Sequence, residues 1–162
     1  MDTKWFKITE LIRCYNETGR CKECRLKQAA KALPNDIEEN ILAVARDVMD
    51  PARDELKKPI ITNSAFRCPV HNAAVGSKST SQHVKGQAMD VTAGSPEDNL
   101  RLARILVKNG KFDQLILYVN DAKSLEPRFI HVSWKRTGGN RKQILKKTAS
   151  GYQTVEASDL TN

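Results

Sequence analysis

Apolar residues recur at helical spacing along the stretch that begins at Asn35. Asn35 is placed to cap a helix, and Glu38 three residues later completes a capping box. The residues that share the apolar face of this helix are Ile37, Ile41, Val44, Ala45, Val48 and Met49. Pro51 lacks an amide donor, so we expect it to kink or divide the helix, which then continues over residues 52–57.

A second amphipathic helix is predicted after Ser95-Pro96-Glu97-Asp98. This sequence supplies a cap, a proline for the first turn and two acids that complement the helix dipole. Gly110 follows the last apolar position and ends the helix. Two shorter helices are predicted at residues 5–13 and 71–75.

Runs of β-branched or alternating residues predict four strands, at residues 60–62, 88–92, 113–118 and 128–134. Residues 77–86 are rich in Ser, Thr and Gly and are predicted as a loop. Beyond Ser150 the sequence is polar and has no periodicity. This order of elements predicts an α+β fold with helices packed on a small antiparallel sheet. We expect a single domain over residues 1–150, followed by a loose tail over residues 151–162.

The composition narrows the class of protein. The chain has 162 residues, enough for one hydrophobic core, and no apolar run approaches the roughly 20 residues of a membrane span. Its start shows no signal peptide. Lys and Arg outnumber Asp and Glu by 27 to 19, which favours an anionic partner. The densest basic stretch, residues 135–147, lacks interleaved aromatics, so we expect a solvated basic tail there rather than a nucleic-acid site.

The four cysteines are Cys14, Cys21, Cys24 and Cys68. Cys21 and Cys24 form a CxxC pair, which with Cys14 offers three thiolates to a metal and leaves Cys68 as the remaining thiol. Because there is no second CxxC, reduced and unpaired thiols are the favoured interpretation. A disulfide would require an oxidising compartment.

His131 and Asp90 occupy predicted strands, each of which has an apolar face and a face with one metal-capable side chain. His83 precedes Asp90 by seven residues, in the predicted loop. Two imidazoles and one carboxylate are a common ligand set for catalytic zinc, with a fourth position open to water. Zinc lowers the pKa of that water toward about 7. From the residues alone, ordinary hydrogen-bonded histidines are the alternative.

Three motifs carry a family resemblance. They read Ser64-Ala65-Phe66-Arg67, Ser81-x-His83-x-x-Gly86-x-Ala88-x-Asp90 and Ile130-His131-Val132-Ser133. Through them the chain resembles the zinc D-alanyl-D-alanine carboxypeptidase and L-alanyl-D-glutamate endopeptidase (LAS-type) family over about residues 6–147. This family includes vancomycin-resistance D,D-dipeptidases and phage endolysins. The resemblance implies a Hedgehog/DD-peptidase-like fold and a Zn²⁺ cofactor held by His83, Asp90 and His131.

The resemblance also implies roles for neighbouring residues. Arg67 would orient the substrate and stabilise the oxyanion, because a guanidinium stays charged and offers two parallel donors. Ser81 would shape the ligand loop or contact substrate. Gly86 would permit the turn that brings the first histidine back toward the carboxylate. His71 matches no ligand position and is expected at the surface or at a helix cap.

The sequence departs from the family at the general base. The mechanism needs a carboxylate that passes a proton from the metal-bound water to the leaving amine. Relatives place an acid three residues before the last histidine ligand, where this chain has Arg128, or after the Asp-Gln-Leu-Ile strand, where it has Tyr118. Glu126, at the mouth of the strand, is the better candidate here. Asp121 in the same connection is the alternative.

Together these features predict a zinc metallopeptidase that hydrolyses an amide bond in the stem peptide of peptidoglycan, as an endolysin-like endopeptidase. Two alternatives stay open: a D,D-carboxypeptidase or dipeptidase that releases D-Ala, and a catalytically silent zinc module that binds the cell wall. We expect a monomer without a membrane span or a nucleic-acid partner. We also expect synthesis in the cytoplasm, with access to the wall by phage-type release or another export route.

Overall fold

The computed structural model describes residues 3–12 and 35–161. Its helices are α1 (Ile8–Leu11), α2 (Asn35–Ala43), a π-helical segment (Val44–Met49), α3 (Asp50–Leu56), α4 (Pro69–Ala74), α5 (Pro96–Asn109) and α6 (Ala157–Thr161). Its strands are β1 (Ile61–Ser64), β2 (Ala88–Thr92), β3 (Gln114–Tyr118), β4 (Phe129–Ser133), β5 (Gln143–Thr148) and β6 (Gly151–Thr154). The predictions for Cys14, Cys21 and Cys24 lie outside the described residues, whereas Cys68 is buried at the start of α4.

The strands form one sheet in the order β1-β2-β4-β3-β5-β6. All neighbouring pairs are antiparallel except β3 and β5, which run parallel. The predicted α+β class is therefore confirmed, with a sheet that is mostly but not wholly antiparallel. β4 and β5 lie on opposite sides of β3 and run in opposite directions. Because β4 is antiparallel to β3, β5 is parallel to β3.

The two faces of the sheet carry different side chains. One face contributes apolar residues to the core beneath the helices, namely Met89, Val91, Leu115, Leu117, Ile130 and Val132. The residues that alternate with them form cross-strand rows on the opposite face. In one such row Asp90 lies opposite His131, and His131 lies opposite Ile116. Directly opposed residues of antiparallel strands project from the same face, so this row is displayed away from the core.

The helix predicted from Asn35 onward forms and continues past Pro51. The chain changes to π-helical geometry over Val44–Met49 and returns to α-helix in α3, where Pro51 occupies the first turn. Proline has no amide to donate, so the altered hydrogen bonding just before it avoids a lost intrahelical bond. Lys57 then ends α3 in a left-handed conformation. The apolar face predicted for this helix packs into the core from Ile41 onward.

Two expectations for the end of the chain are wrong. Residues 135–147, expected as a solvated basic tail, include the start of β5, which pairs with β3 in the interior of the sheet. Residues 151–162 were expected to be loose, yet β6 pairs with β5 and α6 packs against α5. Burial of Ile144, Val155 and Leu160 fixes this segment. No residue of β6 is buried, because β6 is the edge strand of the sheet, where polar side chains are tolerated.

Smaller differences concern element boundaries. The part of the predicted helix 5–13 that the structure describes, residues 5–12, is helical only over α1, and the helix expected over residues 71–75 begins earlier, at Pro69. The first strand starts and ends later than residues 60–62 and contains a register shift between Thr62 and Ser64. Within the described ranges, no helix has the combination of length and apolar character required to cross a bilayer.

Candidate metal centre

The structure brings together His83, Asp90 and His131, which are far apart in the sequence. One ligand atom from each lies within 4.8 Å of the others. Asp90 Oδ1 is 3.3 Å from His83 Nε2 and 3.0 Å from His131 Nδ1. Asp90 on β2 and His131 on β4 meet because they are direct cross-strand partners. His83 arrives from the turn before β2.

The turn that carries His83 depends on Gly86. The amide of Gly86 donates to the His83 carbonyl at 3.3 Å, and the His83 amide donates to Ser81 Oγ at 3.3 Å. Gly86 has a φ of +70°, and a Cβ there would lie 2.6 Å from the carbonyl oxygen of Ile37. Glycine is therefore required both by the backbone conformation and by the close approach of α2. The Ser81 hydroxyl accepts this hydrogen bond from the turn and also lies in the cleft lining.

The ring of His83 is held in one orientation by the backbone. Its Nδ1 lies 2.6 Å from the carbonyl oxygen of Ala65. A carbonyl only accepts hydrogen bonds, so Nδ1 carries the proton and Nε2 presents its lone pair toward Asp90. A carbonyl partner on the distal nitrogen is typical of histidines that bind metals, because it fixes the tautomer and the ring orientation.

The protonation states suit cation binding. Burial by itself would raise the pKa of Asp90, but the adjacent His83 and His131 outweigh it and hold that pKa well below its ordinary value. Burial lowers the pKa of His131, which therefore stays neutral near pH 7. The centre thus presents an ionised carboxylate and an uncharged imidazole, the forms of these side chains that bind metals.

The spacing of Asp90 from the two imidazole nitrogens is compatible with zinc. Ligands at about 2.0–2.2 Å around a tetrahedral zinc ion lie about 3.3–3.6 Å from one another. The distances of 3.3 Å and 3.0 Å from Asp90 Oδ1 to the two imidazole nitrogens are close to this spacing. Two nitrogens and one carboxylate oxygen also match the three-ligand sets of catalytic zinc sites, which keep a fourth position open.

The three side chains open onto a cleft of about 750 Å³. Ile116, Tyr118 and Phe129 line its floor, because they share the displayed face of the sheet with His131. Residues 75–78 and 80–82 form a wall of the cleft. Its size lies within the usual range of about 300–1,000 Å³ for ligand sites.

Arg67, the residue expected to orient the substrate, lines the same cleft. Its amide donates to the His83 carbonyl at 3.1 Å, which fixes its backbone beside the ligand turn. Its Nε is buried and has no hydrogen-bond partner among the described residues. Burial lowers the pKa of Arg67, but the ordinary value is so high that the guanidinium remains charged at neutral pH. A buried donor without a partner is rare and is available to a ligand.

The residues considered for the general base are placed differently. Glu126 is exposed in the connection between β3 and β4, where its amide donates to Ser124 Oγ, and it does not line the cleft. Asp121 and Arg128 do not line the cleft either. Tyr118 does, stacked on Phe129 at 4.2 Å. Among the described residues, Asp90 is the only carboxylate that lines it.

The sequence analysis did not identify several residues that lie in or near the cleft. Arg141 and Tyr152 line the cleft from the segment expected to be a tail. Arg141 is paired with Asp113, which is wholly buried and lies 28 residues earlier in the chain. Hydrophobic periodicity does not predict such a pair. The indication in the sequence was Asp113, a charged residue at the start of the apolar strand predicted over residues 113–118. His71, expected at the surface or at a cap, is buried within α4.

Comparison with protein families places these residues in context. The family model described as Peptidase M15 matches residues 6–133, well over half of the chain. The matched range contains His83, Asp90 and His131, together with Arg67. No curated protein matches the chain.

Proposed function

The chain belongs to the peptidase M15 family, and from this premise we propose that it is a zinc-dependent peptidase that hydrolyses an amide bond in the stem peptide of peptidoglycan. The observation that carries the proposal is the convergence of His83, Asp90 and His131 on one point at the cleft. Family membership supports the resemblance to the zinc D,D-carboxypeptidases and L-alanyl-D-glutamate endopeptidases. The zinc ion and the peptidoglycan substrate are our proposals.

The three side chains would hold the zinc ion. When bound, zinc polarises a substrate carbonyl and makes water a nucleophile near neutral pH. Asp90 supplies negative charge, and the carbonyl of Ala65 keeps the Nε2 lone pair of His83 directed inward. This arrangement is fixed before a ligand arrives, since β2 and β4 pair directly through Asp90 and His131.

Arg67 would stabilise the negative charge that develops on the substrate carbonyl oxygen. Its buried Nε lacks a partner among the described residues, so this donor gains a hydrogen bond when an oxygen enters the cleft. Preorganised donors of this kind are worth most in a site shielded from water. Ser81 would act indirectly, by bracing the turn that carries His83.

Glu126 would transfer the proton from water to the leaving amine. Its exposed position outside the cleft lining means that the connection over residues 119–128 would have to bring it to a bound substrate. We expect Glu126→Gln to lower kcat about 100-fold or more, the usual loss when general acid–base catalysis is removed. Asp121→Asn, in the same connection, is the matched control and should keep wild-type kcat. An unchanged kcat in Glu126→Gln would exclude Glu126 from this role.

A second candidate is a catalytically silent zinc module that binds the cell wall. The observation in its favour is that the described cleft lining contains no carboxylate besides Asp90. Because Tyr118 rather than Arg128 faces the cleft, Tyr118→Glu is the variant that would add a carboxylate there. Hydrolysis that starts only in Tyr118→Glu would favour the silent module over the peptidase.

Digestion of purified muropeptides by the zinc-loaded protein tests the proposal. Product masses distinguish an endopeptidase, which cuts within the stem peptide, from a D,D-carboxypeptidase, which releases D-Ala. We expect endopeptidase products that disappear when the metal is chelated and return when zinc is added back. Release of D-Ala alone would favour the carboxypeptidase, and intact muropeptides after prolonged incubation would overturn the proposed hydrolysis.

A further inference from the structure

The cleft carries more positive charge than the proposed metal chemistry uses. Arg67, Lys78 and Arg141 line it, whereas Asp90 is the only carboxylate in the described lining and is engaged with the two histidines. A cleft lined mainly by one sign of charge attracts ligands of the opposite sign. Arg67 is assigned to the reacting carbonyl, which leaves Lys78 and Arg141 without a role.

Arg141 is held in place by a buried carboxylate. Its Nη2 donates to Asp113 Oδ2 at 2.7 Å, its Nε lies 3.2 Å from each carboxylate oxygen, and its backbone amide donates to Oδ1 at 2.8 Å. Asp113 is wholly buried. Burial opposes its ionisation, but the bonds from Arg141 hold the pKa of Asp113 at about 2. The guanidinium is therefore fixed in one position across the neutral pH range.

The other side of the guanidinium is open to the cleft. The Arg141 side chain is 51% exposed, and no described residue is hydrogen-bonded to its Nη1. Its Nη2 lies 3.5 Å from Oε1 of Gln82, the residue that precedes His83. An anion bound by Arg141 would therefore lie beside the turn that carries the first histidine of the metal centre.

We propose that Arg141 anchors a free carboxylate of the peptide substrate, so that the protein selects peptides with this carboxylate over the corresponding amides. The inference rests on the proposed function, because it names a chemical feature of that substrate. A guanidinium binds a carboxylate through charge-assisted hydrogen bonds, which a neutral amide of the same shape cannot match. The carboxylate has two sources in a stem peptide: an internal γ-linked glutamyl residue or the chain terminus.

A purely structural role is the competing explanation. In that case Arg141 would only fasten the segment before β5 to Asp113, and its loss would lower stability without altering ligand preference. The two explanations differ in the ratio of affinities for the acid and amide forms of one peptide, since a structural change affects both forms alike.

The test measures calorimetric dissociation constants of the zinc-loaded protein for four synthetic stem peptides. The peptides combine a glutamyl carboxylate or amide with a terminal carboxylate or amide, so the two sources are separated. We expect the wild type to bind the acid form at one of these positions about 10- to 100-fold more tightly than the amide. Arg141→Gln should abolish this ratio and bind the amide as the wild type does. Lys142→Gln, which removes a charge outside the cleft lining, should keep the ratio.

Several outcomes overturn the inference: equal wild-type affinity for all four peptides, no binding of any of them, or an acid preference that survives in Arg141→Gln. If Arg141→Gln does not fold, Arg141→Lys keeps a charge beside Asp113 but loses the planar fork, and it should reduce the ratio several-fold. Hydrolysis of the same peptides is scored separately. Selective binding without hydrolysis supports the anchor and contradicts the proposed peptidase activity, whereas hydrolysis with equal affinity for all four peptides supports the peptidase and contradicts the anchor.

Discussion

Arg67 differs from the other cations of the cleft because its Nε is buried and donates no hydrogen bond to any described residue. Leaving a donor unsatisfied costs about 1–3 kcal/mol, so a ligand that supplies an acceptor to this nitrogen would gain a favourable hydrogen bond. The identity of the residue was predictable from its motif. The unsatisfied nitrogen was not, because it depends on how residues 65–68 pack against the turn at His83.

Arg67→Met removes the donors and keeps much of the apolar stem. We expect kcat for stem-peptide hydrolysis to fall about 100- to 1,000-fold, because removal of one oxyanion donor typically has this effect. Zinc content should equal that of the wild type, since Arg67 is not a ligand. Steady-state kinetics combined with metal analysis check both points. A wild-type kcat in Arg67→Met would contradict the proposed role of Arg67 in stabilising the oxyanion.

The pair of Asp113 and Arg141 predicts a pH dependence of stability. The folded-state pKa of Asp113 is about 2, below the ordinary value of about 3.9, so its stabilising contribution is complete above about pH 4 and is lost as the pH falls through about 2. We expect Asp113→Asn to be less stable than the wild type at pH 7, with a difference that shrinks between pH 4 and pH 2.

Urea unfolding at pH 7, 4 and 3 measures this difference. Asp121→Asn, which removes a carboxylate from an exposed loop, is the matched control and should follow the wild-type curve. A stability difference between Asp113→Asn and the wild type that stays constant from pH 7 to pH 3 would contradict the assigned role of the pair.

At the scale of elements, the turn between His83 and Gly86 links the site to α2. Gly86→Ala would force a Cβ into a left-handed conformation and to within 2.6 Å of the Ile37 carbonyl oxygen. We expect a loss of stability of more than about 1–2 kcal/mol, the cost of the left-handed conformation alone. Zinc affinity should also fall, because the turn that holds His83 must shift. Thermal melts with and without zinc measure both effects.

Gly76→Ala is the matched control for this variant. Gly76 also has a positive φ, of +74°, but a Cβ there would meet nothing within 4 Å. It should therefore show the conformational cost without the clash and without a change in zinc affinity. Equal effects of the two substitutions on zinc affinity would contradict the role given to the approach of α2.

The elements that the sequence predicted well are those with strong hydrophobic periodicity or with clear capping and terminating residues. The helix α5 has Ser95 as its cap and Gly110 in a left-handed conformation at its end, and both were predictable. The strands β5 and β6 were not, because only Ile144 and Thr148 are buried along β5 and no residue of β6 is. β5 and β6 are held in the sheet by backbone hydrogen bonds, and a hydropathy pattern does not predict such bonds.

At the scale of the whole molecule, the cleft is completed by parts of the chain that lie outside the metal-ligand motifs. The family match ends at residue 133, whereas Arg141 and Tyr152 line the cleft from beyond it. The three candidate metal ligands lie in short sequence motifs, so the sequence could predict that His83, Asp90 and His131 belong to one cluster. The positions of Arg141 and Tyr152 in the cleft follow from how β5 and β6 are added to the sheet, which no local pattern specifies.

The zinc content of the purified protein tests the central claim most directly. We expect one zinc ion per chain by elemental analysis in the wild type, and less than about a tenth of that in a folded His131→Ala variant, because two remaining ligands bind zinc far more weakly than three. His71→Ala, which removes a histidine outside the cluster, should retain its zinc. A wild-type protein without zinc after incubation with the metal, or full occupancy in His131→Ala, would contradict the account.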